Sequence, residues 1–530
     1  MSTAIAPLDE AAAPRKVHNP WVIAAAVMFS TFLEVLDTTI VNVSLPHIAG
    51  SLSASVHEAT WVLTSYLVTN AIVQPITGWL AMRIGRKNLL TTSVVGFTLA
   101  SFCCGLAPTL PLLILFRLLQ GAFGGTLQPL SQAVLLETFP LEKRGKAMGI
   151  WGLGIIVAPI LGPVVGGWLT ENYTWRWVFY INLPIGIMSI IMTKLYIDDP
   201  PYLKRLKIGL DYWGIGLLAC GVGALQIMLD KGQESDWFGS RFIITLLVVS
   251  ITAFVVFVLY ELFFNKHPVV NLRVFKYRNY TAGVLLITVV GFVLYGNMVL
   301  LPVWLQTLLG YPAFQAGIAT APRGLGSMIG MPLTGMLTEK VDARKLVGSG
   351  LLLGAFTMWQ FSELNLNAGY WDFFWPQFIQ GLSLALIFVP LSTVTMSQVP
   401  REGMGNATSL YSLMRNIGSG VGIAGVATMQ DHYQQQYINV LGAHVTATNT
   451  QARTLMSGMQ SMFSGTGGGP MEAMHQAYAA VFGTVFQQAA VLSYLKVYEI
   501  LALLFLIPVP MVLLMKRVHT KRAKGEIAAH

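Results

Sequence analysis

The sequence predicts an all-α membrane protein. Three observations carry that reading. Apolar runs of about twenty residues recur along the whole length. Of the 530 residues, 54% are hydrophobic and only 11% are charged, less than half the share usual in soluble domains. The basic residues gather in alternate connections. The net charge of +9 therefore reads as membrane orientation rather than nucleic-acid binding.

Fourteen spans are expected, at about 22–45, 60–81, 89–107, 110–137, 146–169, 176–197, 210–230, 241–263, 280–302, 314–338, 346–363, 372–398, 404–429 and 493–515. Each can cross roughly 30 Å of hydrocarbon at 1.5 Å per residue. An even count puts both termini on one side. The connections and tails on that side hold twenty-four of the 33 basic residues, against five on the other. The positive-inside bias makes that side cytoplasmic. A thirteen-span count would break the alternation. The N-terminal stretch from Met1 to Asn19 is polar and meets a full-length apolar segment without a cleavage site, so no removable signal is expected. Cys103, Cys104 and Cys220 all lie in apolar segments, which leaves no disulfide framework.

The chain repeats itself. Gly78, Leu80, Arg83 and Ile84 recur as Gly335, Leu337, Lys340 and Val341, 257 residues on. Gln120-Gly121 recurs as Gln380-Gly381, and Pro140, Glu142, Gly145 and Ala147 recur as Pro400, Glu402, Gly405 and Ala407, at an offset of 260. A duplicated six-helix unit needs a smaller offset, and the surplus fits the two spans at 210–263. The expected order is a cytoplasmic tail (1–21), a six-helix bundle (22–197), two inserted helices with flanking loops (198–278), a second six-helix bundle (279–515) and a tail (516–530). Pseudo-symmetric 6 + 2 + 6 repeats of this kind typify secondary transporters with a central site. The second bundle includes a long loop at 430–492, placed outside by parity. It has a flexible Ser464–Gly469 stretch and flanks able to form amphipathic helices.

Glu34 and Asp37 lie three residues apart in the first span, on one helix face. An acid in mid-membrane costs about 2.5–3.5 kcal/mol, so something must offset it. One reading is a carboxylate that takes up and releases a proton as its cavity opens and closes. The other is a structural ion pair. Arg117 in the fourth span is the natural partner. A guanidinium keeps its proton, so it can bias a carboxylate but cannot be the carrier. Neither charge recurs: Asp37 maps to the acid-free stretch Val293–Asn297, and Arg117 maps to Gln377. Arg323 and Arg415 lie inside second-half spans, where they could face a substrate cavity, attract an anion, or bond to backbone carbonyls.

The fifth span carries Gly154, Pro159, Gly162, Pro163, Gly166 and Gly167. Small residues at this spacing admit a close helix neighbour, and the prolines allow a bend. The stripe is expected to act as hinge and seal between the halves. The loop holding Gly78, Arg83, Gly85, Arg86 and Lys87 is expected to latch onto helix ends. No Walker loop, His-Glu-x-x-His zinc motif or nucleophile elbow is present. Neither an enzyme nor a cofactor or metal site is expected; His432, His444 and His475 are irregularly spaced. Any transport would run on an ion gradient.

Leu36-Asp37-Thr38-Thr39-Ile40-Val41-Asn42-Val43-x-Leu45-Pro46 resembles the first-helix signature of the fourteen-helix drug–proton antiporters of the major facilitator superfamily. The 78–87 loop, Arg117-x-x-Gln120-Gly121, the fifth-span stripe and Trp175–Gly186 are similar to that superfamily's other motifs. Gln226–Gly232 with Asp236-Trp237, and Trp375–Gly381, resemble its EmrB branch. The resemblance implies a major facilitator fold in a bacterial inner membrane. It implies export of lipophilic small molecules in exchange for protons, with Asp37 and Arg117 as coupling residues. It also implies a periplasmic adaptor (a membrane fusion protein) and, through it, an outer-membrane channel. Asn42, Gln120, Arg323 and Arg415 are the expected cavity residues. One departure stands out: Met82 sits where the superfamily's loop motif has an acid. The rival readings are a dedicated proton-coupled exporter of one metabolite or fatty acid, and a non-transporting membrane sensor.

Overall fold

The computed structural model describes residues 19–199, 211–265, 268–446, 448–464 and 469–516. The basic loop residues at 204–207, Lys266, the two basic tails and most of the Ser464–Gly469 stretch lie outside the described residues. Among the described residues the chain is helical, with no strand.

Helical segments coincide with all fourteen expected spans. In the first half they are α1 (Pro20–Ser51), α2 (Trp61–Val73 and Thr77–Ile84), α3 (Arg86–Leu106), α4 (Leu110–Gly124 and Leu127–Thr138), α5 (Arg144–Asn172) and α6 (Trp177–Tyr180 and Asn182–Tyr196). The inserted pair is α7 (Tyr212–Lys231) and α8 (Arg241–Leu259, continued as a π turn). The second half holds α9 (Arg278–Thr307), α10 (Ala313–Thr320 and Pro322–Leu337), α11 (Ala343–Ser362), α12 (Tyr370–Thr395) and α13 (Met404–Gly442). A further helix, α14 (Thr450–Ser464), precedes the last, α15 (Pro470–Leu506). Among the described residues ten helices are long and apolar enough to cross a membrane by length and composition. Among the remaining four spans, α2 and α10 are broken. Pro75 sits in the 3₁₀ turn Gln74–Ile76, and Pro322 begins the second piece of α10, as expected where a ring removes a backbone donor.

The stretch 430–492 is mostly helix rather than a long loop. α13 has 39 residues, about 58 Å at 1.5 Å per residue, and α15 has 37, about 55 Å. Both exceed a hydrocarbon thickness of about 30 Å, so they project beyond it, with α14 packed on α15.

The two halves pack by the same rules. In the first, α1 lies on α5 and α2 on α4; in the second, α9 lies on α13 and α10 on α12. The halves meet at the end bearing the basic connections. There a Cβ on Gly78 would strike the backbone of Gly405 and Asn406, and a Cβ on Gly335 would strike that of Gly145 and Lys146. These are repeat-related contacts, made in opposite directions across the interface. Gly78 also donates its N–H to Ser409 Oγ at 3.1 Å. Lys146 pairs with Glu339 at 2.9 Å; the repeat mate of Glu339 is Met82, so this ion pair has no counterpart on the other side. Trp151 of α5 stacks on Phe388 of α12 at 6.0 Å.

The inserted α7 packs against α2 of one half and α13 of the other, with α8 against α7. At the end far from the basic connections its exit forms a bracket. Asp230 accepts from Thr64, and Lys231 donates to Thr60 and lies 5.4 Å over the Trp61 ring. Gln233 donates to Asp431 and accepts from Thr428 at 2.9 Å. One short connection therefore holds both halves.

Candidate functional site

Asp37 is fully buried on α1. Its Oδ2 lies 2.5 Å from Arg117 Nη1 of α4, and its Oδ1 accepts from Gln120 Nε2 at 2.8 Å and Asn182 Nδ2 at 2.7 Å. Arg117 is held through its Nε, its Nη1 and the face of its guanidinium, while its buried Nη2 makes no hydrogen bond. Its Nε donates to the Val62 carbonyl at 3.0 Å, its Nη1 also donates to Gln120 Oε1 at 2.8 Å, and its guanidinium lies 4.2 Å over the Tyr66 ring. Such a charge-assisted, desolvated cluster holds its members far more firmly than a surface pair. Gly121 lets α4 approach this close, because a Cβ there would meet the Tyr66 carbonyl.

The sequence names Arg117 as the partner of Asp37, and the two are in contact; it lists Gln120 with the cavity residues, whereas the Gln120 amide bonds both Asp37 and Arg117. It missed Asn182, whose amide also reaches Ser101 Oγ at 3.0 Å. Asn182 lies within the Trp175–Gly186 stretch, but a neutral amide carries no membrane penalty large enough to single it out.

Glu34 sits about one turn toward the basic end and does not join the cluster. Its Oε1 accepts from Asn70 Nδ2 at 2.9 Å, and Asn70 Oδ1 accepts from Gln74 Nε2 at 3.1 Å. Asn416 Nδ2 of α13 donates to Gln74 Oε1 at 3.0 Å. This chain of amides runs from the first half into the second. Arg415, the next residue, donates to Gln128 Oε1 of α4 at 2.5 Å. Arg415 thus spans the interface, while Arg323 lies within the second half.

One face of α1 changes in exposure along its length. Thr31, Val35, Thr38, Asn42 and Pro46 follow helical spacing. Thr31 is buried, bonding Trp151 Nε1 at 3.0 Å, whereas Asn42 and Pro46 are exposed. Exposure on this face rises from the basic end toward the far end.

One expectation about motifs needs correction. Gly154, Gly162 and Gly166 do not form the contact between halves; they pack on Met28, Thr39 and Ile40 of α1 in the same half. Pro159, Pro163 and Gly167 belong to the same stretch of α5. The close contact with α10 is made earlier on α5, by Gly145, Gly149 and Gly152 against Gly335, Thr338 and Met331. In the 78–87 loop Arg86 pairs with a helix end, in the last turn of α4. Arg86 is buried against Glu137 of its own half, Arg83 lies 5.4 Å over the Trp79 ring, and Gly85 supplies the turn at φ 91°. The crossing residue of that loop is Gly78, through its missing side chain and its N–H.

At the repeat position of the Asp37 cluster stands a neutral one. Asn297 Nδ2 donates to Gln380 Oε1 at 3.0 Å, with Gln377 one turn away on α12. At the offset of 260 these are the mates of Asp37, Gln120 and Arg117. All three are buried.

The family model of the Major Facilitator Superfamily matches residues 27–423. The chain is 38% identical over 488 residues to the fatty acid resistance protein FarB of Neisseria gonorrhoeae, covering 92% of this chain and 94% of that protein. It is 39% identical over 443 residues to the multidrug export protein EmrB of Escherichia coli (strain K12), covering 83% and 86%. In structure it resembles the human organic anion transporter MFSD10 (TM-score 0.59, 11% identity, 93% and 99% covered) and a double tryptophan mutant of XylE (TM-score 0.59, 15% identity, 95% and 97% covered). With a buried charge cluster in one of two repeat-related helical halves, this chain belongs to the major facilitator superfamily.

Proposed function

We propose that this chain is a proton-driven multidrug exporter of lipophilic compounds, working by alternating access between its two halves. The carrying observation is the asymmetry of the repeat. The scaffold is duplicated, yet among the described residues buried acid–guanidinium pairs stand in the first half only, and at the Asp37–Arg117 pair Asp37 can exchange a proton and Arg117 can favour its release. Protons enter from outside, Asp37 takes one, and the protein returns it inside as substrate leaves. Glu34, about one turn from this site, reaches the interface through Asn70, Gln74 and Asn416. Asn42, Arg323 and Arg415 are the polar residues offered to substrate among apolar walls, while Gln120 is taken up in the Asp37 cluster. The chemistry is transport without an enzymatic step.

The charge bias supports a bacterial inner-membrane protein with the basic end and both termini in the cytoplasm. Cysteine labelling in sealed cells tests this: Ser457→Cys should react from outside and Arg401→Cys should not, and the reverse pattern would refute it. The projecting ends of α13 and α15, with α14, then lie outside, where they suit a periplasmic adaptor leading to an outer-membrane channel. The resemblance to FarB favours a second reading, a narrower exporter of fatty acids.

Inverted vesicles loaded with this protein test the main reading. Ethidium and chemically unrelated lipophiles should each release protons on addition. A response to none of them would overturn it.

A further inference from the structure

The helical arm at the end far from the basic connections is rich in sulfur. Five of the chain's 23 methionines fall within nineteen residues of it, as Met456-x-x-Met459-x-x-Met462 on α14 and Met471-x-x-Met474-His475 on α15. The histidines of this stretch are irregularly spaced, but the methionines are not.

Register brings the two runs together. Gln430 of α13 donates to Ser493 of α15 at 2.6 Å. α13 ends at Gly442, which on that register lies level with about Val481 of α15. Ala473 and Ala477 lie beyond that end, yet both are buried. α14, packed on α15, covers them. It turns one face to α15: Ala452, Met456, Met459, Gln460 and Phe463 are half-buried at helical spacing, and the residues between them are exposed. On α15, Met474 is half-buried beside Ala473 and Ala477. The two helices adjoin at Ser464 and Pro470. Met459 therefore stands level with Met474 and His475, and Met462 stands level with Met471, about 4.5 Å nearer the tip.

Packing accounts for the thioethers in the seam between the helices. It does not account for Met462 and Met471, which are 70% and 67% exposed. Thioethers are neutral, soft ligands that do not take up a proton in the biological pH range. They are poor ligands for Mg(II), Ca(II) and Zn(II) and good ones for Cu(I). His475, exposed at the level of Met459 and Met474, can add an imidazole. Access is open as well. Met459 and Met462 line a groove with Gly458, and a Cβ on Gly458 would meet nothing within 4 Å.

We propose that Met459, Met462, Met471 and Met474, with His475, form a binding site for a soft monovalent metal ion, Cu(I). The site stands apart from the Asp37 cluster and does not depend on the export reading. A bound ion staples α14 to α15.

The probe is Ag(I), which shares the charge and softness of Cu(I) without its redox chemistry. Hydrogen peroxide converts accessible thioethers to sulfoxides, and a sulfur that has given a lone pair to a metal reacts more slowly. The purified wild-type chain receives a few equivalents of Ag(I), more than its three cysteines can hold, and then dilute peroxide. Peptide mass spectrometry reads each methionine. Sulfoxide formation at Met462 and Met471 should slow by about tenfold at about nine-tenths occupancy. Met188 and Met336, exposed elsewhere in the chain, should be unaffected. Zn(II) should give no protection. The Ag(I) effect should be equal at about pH 5.5 and about pH 7.5, either side of the ordinary histidine pKa of about 6.5. In Met459→Leu/Met474→Leu, which keeps an apolar seam of similar volume, the protection of Met462 and Met471 should be lost. Wild-type protein whose Met462 and Met471 are protected no more than Met188 and Met336 overturns the proposal, and that result needs no variant to fold. Protection by Zn(II), or protection that vanishes at the lower pH, overturns it too, since imidazole and not sulfur would then hold the ion. So does protection that survives in the double variant.

Discussion

Asn297 reaches Gln380 in the second half across 3.0 Å, the contact that joins Asp37 to Gln120 across 2.8 Å in the first. The two pairs are repeat mates, and only one carries charge. The frame around Asp37 therefore does not need a carboxylate in order to pack. This separates the fold's requirement from the function's.

That relationship predicts an unusual stability series. Arg117→Gln alone leaves Asp37 buried and unanswered, which costs about 3–5 kcal/mol. The double variant Asp37→Asn/Arg117→Gln rebuilds the neutral set already present as Asn297, Gln377 and Gln380. Thermal unfolding of purified protein should show the double variant melting above the Arg117→Gln single variant and close to wild type. A double variant less stable than the single one would mean that the pair itself holds the bundle together.

The interface at the basic end depends on missing side chains. A Cβ on Gly78 would come within 2.6 Å of the Asn406 nitrogen and 2.7 Å of its Cα, closer than packed atoms tolerate. Gly78→Val should hold the halves apart there. A thiol reagent added to inverted vesicles should then label Ser409→Cys several-fold faster than in the Gly78 background. Equal rates would show that this contact does not close the path.

The bracket at the far end ties α7 to both halves. A disulfide between Gln233→Cys and Asp431→Cys, in a background with the three native cysteines replaced, should fix the exit of α7 to α13. If rocking requires this contact to break, oxidation should abolish export and a reductant should restore it. Full export by the oxidised, cross-linked protein would mean that the inserted pair moves with the second half throughout the cycle.

The spans were readable because each needs about twenty apolar residues, and membrane solvent enforces that length. The Asp37–Arg117 pair was readable because an interior charge is too costly to be incidental. Other features left no such trace. Asn182, Asn70, Gln74 and Asn416 are neutral amides, and nothing in their spacing says which of many amides converge. The helical extensions of α13 and α15 are polar enough to read as a loop, and helix there is held by backbone bonds that composition does not report. The glycines of α5 were read as one stripe, but a helix has more than one face. Gly154, Gly162 and Gly166 meet α1, while Gly145, Gly149 and Gly152 meet α10; only the packing of the neighbours distinguishes them.

The central claim is that Asp37 carries the coupled proton. Asp37→Asn keeps the size of the side chain but cannot titrate, and it loses one of the two acceptor oxygens that Arg117, Gln120 and Asn182 use. The direct measurement is substrate-driven proton release from inverted vesicles, alongside ethidium binding to the same purified variant. The account predicts that Asp37→Asn, although less stable because Arg117 loses its counter-charge, still binds ethidium and releases no protons on substrate addition, with Asp37→Glu keeping part of the flux. Wild-type proton release by Asp37→Asn at normal expression would contradict it and turn attention to Glu34.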